Sequence, residues 1–153
     1  MTLVQKPHEQ NDPEQPDIFG AHIPFVHFCG IEPVSSEPGR TRLRVKLEDH
    51  HMNQLGIAHG GITMTLLDVA LGTAARSGSD KSAVMTLDMQ TQFIAPGRGT
   101  LTGEGRIVKA GRSLVFVEAD VHDEEGTLVA KASAIFKSTR RRDRAEDKSH
   151  VEA

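Results

Sequence analysis

The stretch that decides the reading is NQLGIAHGGITMTLLDVALG, Asn53 to Gly72. From Met64 onward it carries Leu66, Leu67, Val69, Ala70 and Leu71, and Ala74 and Ala75 follow just beyond. A helix that is apolar nearly all round is a buried one, so the pattern predicts a buried helix from His59 to about Ser77. Asp68 is its anomaly. A carboxylate is costly to desolvate without partners, and Asp is a poor helix-interior residue. The helix also begins on a glycine pair, Gly60-Gly61, directly after His59. The first amides of a helix have no intrahelical acceptor, and that end carries a partial positive charge of roughly half an electron. Glycine lets another group approach those amides closely.

Around this helix the chain reads as strands. Thr41 to Glu48 alternates Leu43, Val45 and Leu47 with Arg42, Arg44 and Lys46, the pattern of a half-exposed strand. Four more candidates follow: Ala83 to Ile94, Thr100 to Lys109, Ser113 to His122 and Leu128 to Lys137. They are closed in turn by Pro96-Gly97, by Ala110-Gly111 and by Asp123-Glu124-Glu125-Gly126. Ile18 to Ile31, with Pro24, reads as a short helix or lead-in. The order is β-α-β-β-β-β. Short turns between successive strands imply an antiparallel sheet, so the class is α+β, one long helix wrapped by a curved sheet.

The 153 residues suit one domain with a sizeable core. Residues 18–138 hold the periodic pattern; 1–17 and 139–153 read as disordered tails by composition. A net charge of −3 with both signs interspersed argues against nucleic-acid binding, and Arg140 to Arg144 is followed by acidic residues, as in a solvated tail. The single cysteine, Cys29, permits no intrachain disulfide, which suits the cytoplasm. No secretory signal or membrane-spanning run is expected, and hence no membrane partner. His50-His51 has no third ligand in register, so neither a metal nor any other cofactor is expected.

Distance links Gly60 with Asp68. Eight residues of helix span about 12 Å, whereas groups acting on one carbonyl must lie within about 3.5 Å of it. One chain cannot bring both to the same carbon. Two chains can, if their helices lie antiparallel about a two-fold axis. Amide donors at a helix start suit a carbonyl gaining negative charge, and a carboxylate opposite suits activating water or attacking directly. Together they describe acyl transfer to water, and a thioester is a natural substrate because its thiolate leaves with little acid help.

Asn53, Gly56, His59-Gly60-Gly61 and Asp68 resemble the N-x-x-G-x-x-H-G-G-x6-D signature of hotdog-fold acyl-CoA thioesterases of the PaaI-like type, which includes the thioesterase superfamily member 2 proteins. The resemblance spans about residues 20–138 and implies the hotdog fold. By position it implies that Gly60 donates its N–H to the thioester carbonyl. It makes Asn53 polarise that carbonyl or hold the water, and Asp68 of the partner chain serve as general base or nucleophile. His59 positions the thiolate side, and Thr86 helps orient the water. Gly111, Arg112 and Ser113 match the stretch that contacts coenzyme A, here part of the substrate. A homodimer with composite sites is implied, and from the resemblance a homotetramer. Related branches use a Tyr-associated Asp or a Glu at the position of Asp68; this chain has no Tyr and keeps the Asp. A non-catalytic acyl-CoA-binding hotdog protein and a hotdog enoyl-CoA hydratase or dehydratase are the alternatives. Met64, Met89 and Phe93 are candidates for lining the acyl pocket; the acyl group itself stays open.

Overall fold

The computed structural model describes residues 17–78 and 83–139. The tails expected at either end lie outside them, apart from Asp17 and Thr139. The order is α1 (Pro24–Phe28), β1 (Ile31–Glu37), β2 (Arg40–Lys46), a 3-10 turn at Asp49–His51, α2 (Gly60–Ser77), β3 (Ala83–Phe93), β4 (Thr100–Ala110), β5 (Leu114–His122) and β6 (Leu128–Thr139). The strands form one antiparallel sheet in the order β1-β2-β4-β5-β6-β3. It curls around α2, as the α+β reading expects.

The core lies between the concave face of the sheet and α2. Leu43 and Val45 of β2, Leu101 of β4, Val117 and Val121 of β5 and Phe136 of β6 are buried against Leu66, Leu67 and Leu71. Two glycines let α2 sit so close to β4. A Cβ at Gly103 would come within 2.9 Å of Leu66 Cγ, and one at Gly105 within 2.6 Å of the Ala70 carbonyl carbon. Thr41, almost fully buried, donates to the Ala70 carbonyl at 3.1 Å and meets the Thr73 hydroxyl at 2.8 Å. The Asp123–Gly126 turn forms as read: Asp123 Oδ1 accepts from the Glu125 and Thr127 amides, and Gly126 takes φ +83°.

Two features differ from the sequence reading. Among the described residues there are six strands rather than five: the pattern does not pick out β1, because Pro33 interrupts it and only Ile31 is buried, as suits an edge strand. α1 falls in the lead-in where a short helix was expected, started by Pro24 at a position where a missing amide costs nothing. The second difference is that α2 is not covered all round. Gly61, Met64, Thr65, Asp68, Val69, Gly72 and Arg76 recur at three- and four-residue steps and leave one stripe partly or fully open. Asp68 belongs to that stripe and is half-buried, so its carboxylate is not sealed in the core. Beside the stripe runs the edge strand β3, whose Met85 and Leu87 are exposed. No helix among the described residues is long and apolar enough to cross a membrane.

Candidate active site

At the start of α2, His59 is the N-cap, with extended φ −61° and ψ +139°. Its Nδ1 accepts from the Gly61 amide at 2.9 Å, and its carbonyl accepts from Ile62 and Thr63. A neutral ring that accepts through Nδ1 carries its proton on Nε2. The amides of Gly61, Ile62 and Thr63 are thus all satisfied by His59. The Gly60 amide alone among the first four has no acceptor among the described residues. It borders a cavity of about 370 Å³ shared with Phe93, Ile94 and Gly97. Phe93, a candidate for lining the acyl pocket, lies here against Gly60.

Two neighbours hold this end in place. Asn53 Oδ1 accepts from the Leu55 amide at 2.9 Å and the Ile57 amide at 3.4 Å, and Gly56 closes the turn with φ +67°. The Asn53 oxygen is therefore committed to its own loop, and the carboxamide NH2 is what remains to meet a substrate. His51 is buried; its Nδ1 accepts from the Glu48 amide at 3.0 Å and its Nε2 meets the Cys29 carbonyl at 3.0 Å. The His51 carbonyl in turn accepts from the His59 amide at 2.8 Å. Burial, aided by the neighbouring His50, pushes the His51 pKa down; the contacts with Cys29 and Glu48 oppose that more weakly. Burial also pushes the Cys29 thiol up, toward the unreactive protonated form. No motif in the sequence marks His51, because its signal, a buried imidazole bonded at both nitrogens, exists only in three dimensions.

Two turns along α2, Asp68 faces β3. The Thr86 hydroxyl donates to Asp68 Oδ1 at 3.0 Å, which leaves Oδ2 to act on another group. Both residues border a largely apolar cavity of about 640 Å³ with Met64, Val69, Met89 and Phe136. Ile23, Phe25 and Val26 of the lead-in and α1 border it too, a contribution the sequence reading missed. A bulge in β3 makes the Thr86 contact: Thr86 pairs with Phe136 and Asp88 with the next residue back, Ile135, so Leu87 is extra. Thr86 and Met89 consequently both border the helix side.

Gly111, Arg112 and Ser113 form the exposed turn between β4 and β5, closed by the Gly111 amide on the Leu114 carbonyl at 2.8 Å. The Ser138 amide donates to the Ser113 carbonyl at 2.8 Å, tying this turn to the end of β6 that also pairs with the start of β3. Within the chain, then, Asp68 and Thr86 are brought together, and the Asn53 loop, closed by the Met52–Ala58 bridge, leads directly into His59 and Gly60. The two groups stay about 12 Å apart along α2.

With this geometry in view, comparison with known proteins fixes the family. The thioesterase superfamily matches residues 55–130. The chain is 26% identical over 137 residues to the medium/long-chain acyl-CoA thioesterase YigI of Escherichia coli, covering 78% of this chain and 88% of that one. Zebrafish thioesterase superfamily member 2 shares the fold with a TM-score of 0.66 at 27% identity, over 71% of this chain and 80% of that one. A Streptococcus mutans protein solved bound to acetyl CoA gives a TM-score of 0.68 at 31% identity, over 73% of this chain and 90% of that one. The chain belongs to the thioesterase superfamily and has its hotdog fold; thioester hydrolysis is the activity at the level of the family.

Proposed function

We propose that the chain hydrolyses acyl-CoA thioesters at a site shared between two copies. Its two chemical halves stand on one helix, too far apart to serve one carbonyl. That separation carries the reading: a free Gly60 amide and a Thr86-braced Asp68 each lack what the other end of α2 holds. Two helices packed antiparallel along their open stripes bring Gly60 of one copy opposite Asp68 of the other.

In this arrangement the thioester oxygen lies against the Gly60 N–H, at the positive end of α2. The Asn53 NH2 offers a second donor. Asp68 of the second copy takes a proton from water through Oδ2 while Thr86 fixes Oδ1. The water oxygen bonds to the carbonyl carbon, and the tetrahedral oxyanion is held by the Gly60 amide. Collapse breaks the C–S bond, and coenzyme A leaves as a thiolate that regains the proton. The alternative course has Asp68 attack the carbon itself, giving a mixed anhydride that water then cleaves. The acyl group occupies the apolar cavity beside Asp68. His59, through Nε2–H, steadies the thiol side, and Gly111, Arg112 and Ser113 meet the pantetheine and phosphates. The chemistry needs no cofactor, since coenzyme A is part of the substrate.

The test is hydrolysis of a panel of aryl-, short- and long-chain acyl-CoAs, followed by release of free thiol. Turnover of at least one class, lost in Asp68→Asn, is expected. An Asp68→Asn chain as fast as wild type overturns the mechanism, and tight binding without turnover across the panel overturns the activity.

A further inference from the structure

The segment before α1 holds three metal-binding side chains that the thioesterase chemistry does not use. Asp17, His22 and His27 stand five residues apart, and one ligand atom from each lies within 4.8 Å of the others. The chain folds back on itself to bring them there. Ile18 and Ala21 exchange backbone hydrogen bonds of 2.9 and 3.1 Å across a turn in which Phe19 takes φ +50° and Gly20 φ +80°. Positive φ is uncommon for a Phe, and the turn is held from outside: Arg76 of α2 donates to the Ile18 and Phe19 carbonyls at 3.0 and 2.9 Å. Asp17 is thereby set beside His22, with Oδ1 3.8 Å from Nδ1, and the His22 and His27 rings meet edge to face at 4.8 Å.

His27 supplies the second observation. Its Nε2 is buried and has no hydrogen-bond partner among the described residues. A buried polar atom left unpaired is costly, and a neutral imidazole nitrogen is the commonest metal ligand, so an ion held by this ring would supply a partner that the described residues do not. His22 and Asp17 are about half exposed, which gives an ion a way in.

We propose that Asp17, His22 and His27 bind a divalent transition-metal ion of the zinc class, with water completing the coordination. Two imidazole nitrogens and one carboxylate oxygen suit Zn²⁺ or Co²⁺, whereas Mg²⁺ and Ca²⁺ select all-oxygen sites. Ligand bonds of about 2.0–2.2 Å require the three atoms to close in by roughly an ångström, which the exposed Asp17 and His22 side chains can supply. The ion fastens the turn to α1. It thereby fixes Ile23, Phe25 and Val26, the part of the acyl cavity wall contributed from outside α2 and the sheet.

The experiment titrates Zn²⁺ into the full chain after chelator treatment, by calorimetry and thermal unfolding, and repeats it with Co²⁺ by visible absorption. One ion per chain, a raised Tm and the intense absorption of tetrahedral Co²⁺ are expected. His22→Ala and Asp17→Asn, both at exposed side chains, should weaken binding roughly tenfold or more and remove the Tm shift. His50→Ala, outside the cluster, should change neither. No Zn²⁺ binding overturns the proposal, as does binding that His22→Ala leaves intact or that His50→Ala abolishes. Mg²⁺ binding as tightly as Zn²⁺ overturns the class of metal assigned.

Discussion

The Thr86 hydroxyl donates to Asp68 Oδ1 at 3.0 Å, joining the edge strand of the sheet to the open stripe of the central helix. A carboxylate held at one oxygen presents the other in a fixed direction, so the two residues should act on the same step with unequal weight. Asp68→Asn keeps the shape and removes the basic oxygen; kcat should fall about 10²–10⁴-fold. Thr86→Ala should cost about tenfold, since a lost hydrogen bond to a charged group accounts for about 1.5 kcal/mol. In the Asp68→Asn background, Thr86→Ala should cost little more. Full additivity of the two losses in thiol-release assays would show that Thr86 does not work through Asp68.

The two courses open to Asp68 differ in where the first oxygen comes from. In a single turnover in oxygen-18 water, with enzyme in excess over acyl-CoA, a general base places the label in the released acid. A nucleophile whose anhydride water opens at the Asp68 carboxyl carbon gives the acid one of its own oxygens and takes up the label itself. Label found in the peptide containing Asp68 by mass spectrometry therefore identifies the nucleophilic course.

Gly60 can be tested without disturbing the helix. It is the first helical residue, where proline is tolerated, and His59 before it already has the extended backbone that a following proline demands. Even a Cβ there meets only Phe93, at an ordinary 3.5 Å. Gly60→Pro therefore deletes the amide left unpaired at the helix start and sets a ring CH2 in its place. Its Tm should stay near wild type while kcat drops about 10²–10³-fold, as for loss of an oxyanion donor. Gly60→Ala, which retains the amide, should keep most of the activity. Mixing Gly60→Pro with Asp68→Asn chains and refolding them together should restore about a quarter of wild-type activity. Half of the dimers are then mixed, each with one intact site of two. No recovery would show that the site is not shared.

Most of the frame was legible because it is written in period and punctuation. The apolar run starting after Gly60-Gly61 marks α2, and Pro96-Gly97, Gly111 and Gly126 mark where strands stop. What stayed hidden depends on neighbours in space. β1 has little apolar periodicity because an edge strand with Pro33 buries almost nothing. In β3 the alternation of Met85, Leu87 and Met89 against Thr86 and Asp88 sets Thr86 apart from Met89. The bulge at Leu87 instead gives both to the helix side. Asp68 and Thr86 could thus be matched to a signature by position, but the hydrogen bond between them could not be read from the strand's own pattern. The open stripe on α2 was hidden for a similar reason, since hydrophobicity alone does not say which side of an apolar helix meets the sheet.

β4 makes a direct prediction about folding. Gly105 lies where any Cβ would collide with the Ala70 carbonyl, which is backbone and cannot turn aside. Gly105→Ala must push α2 away from the sheet, and overpacking of this kind costs about 1–3 kcal/mol or more. Gly103→Ala meets the Leu66 side chain, which can shift, and should cost less. Urea unfolding should rank them in that order below wild type. The reverse order would mean that the helix is free to move and that Leu66 is the rigid element.

His51 should tie stability to pH. Its Nδ1 must be unprotonated to accept the Glu48 amide, and burial holds its folded pKa below the ordinary 6.5. The unfolded chain therefore takes up the proton at a higher pH than the folded one. This contribution to stability is complete above about pH 6.5 and is lost progressively as the pH falls through that value toward the folded pKa. His51→Gln retains an acceptor and a donor but binds no proton. Between about pH 8 and 5 the wild-type Tm should fall more steeply than that of His51→Gln, the carboxylates contributing equally to both. The His51 carbonyl holds the His59 amide, so the loss should reach the helix start as well. Thiol release by the wild type should decline over the same range while that of His51→Gln, lower at neutral pH, declines less. Parallel Tm curves for the two chains would mean that His51 is not the titrating group.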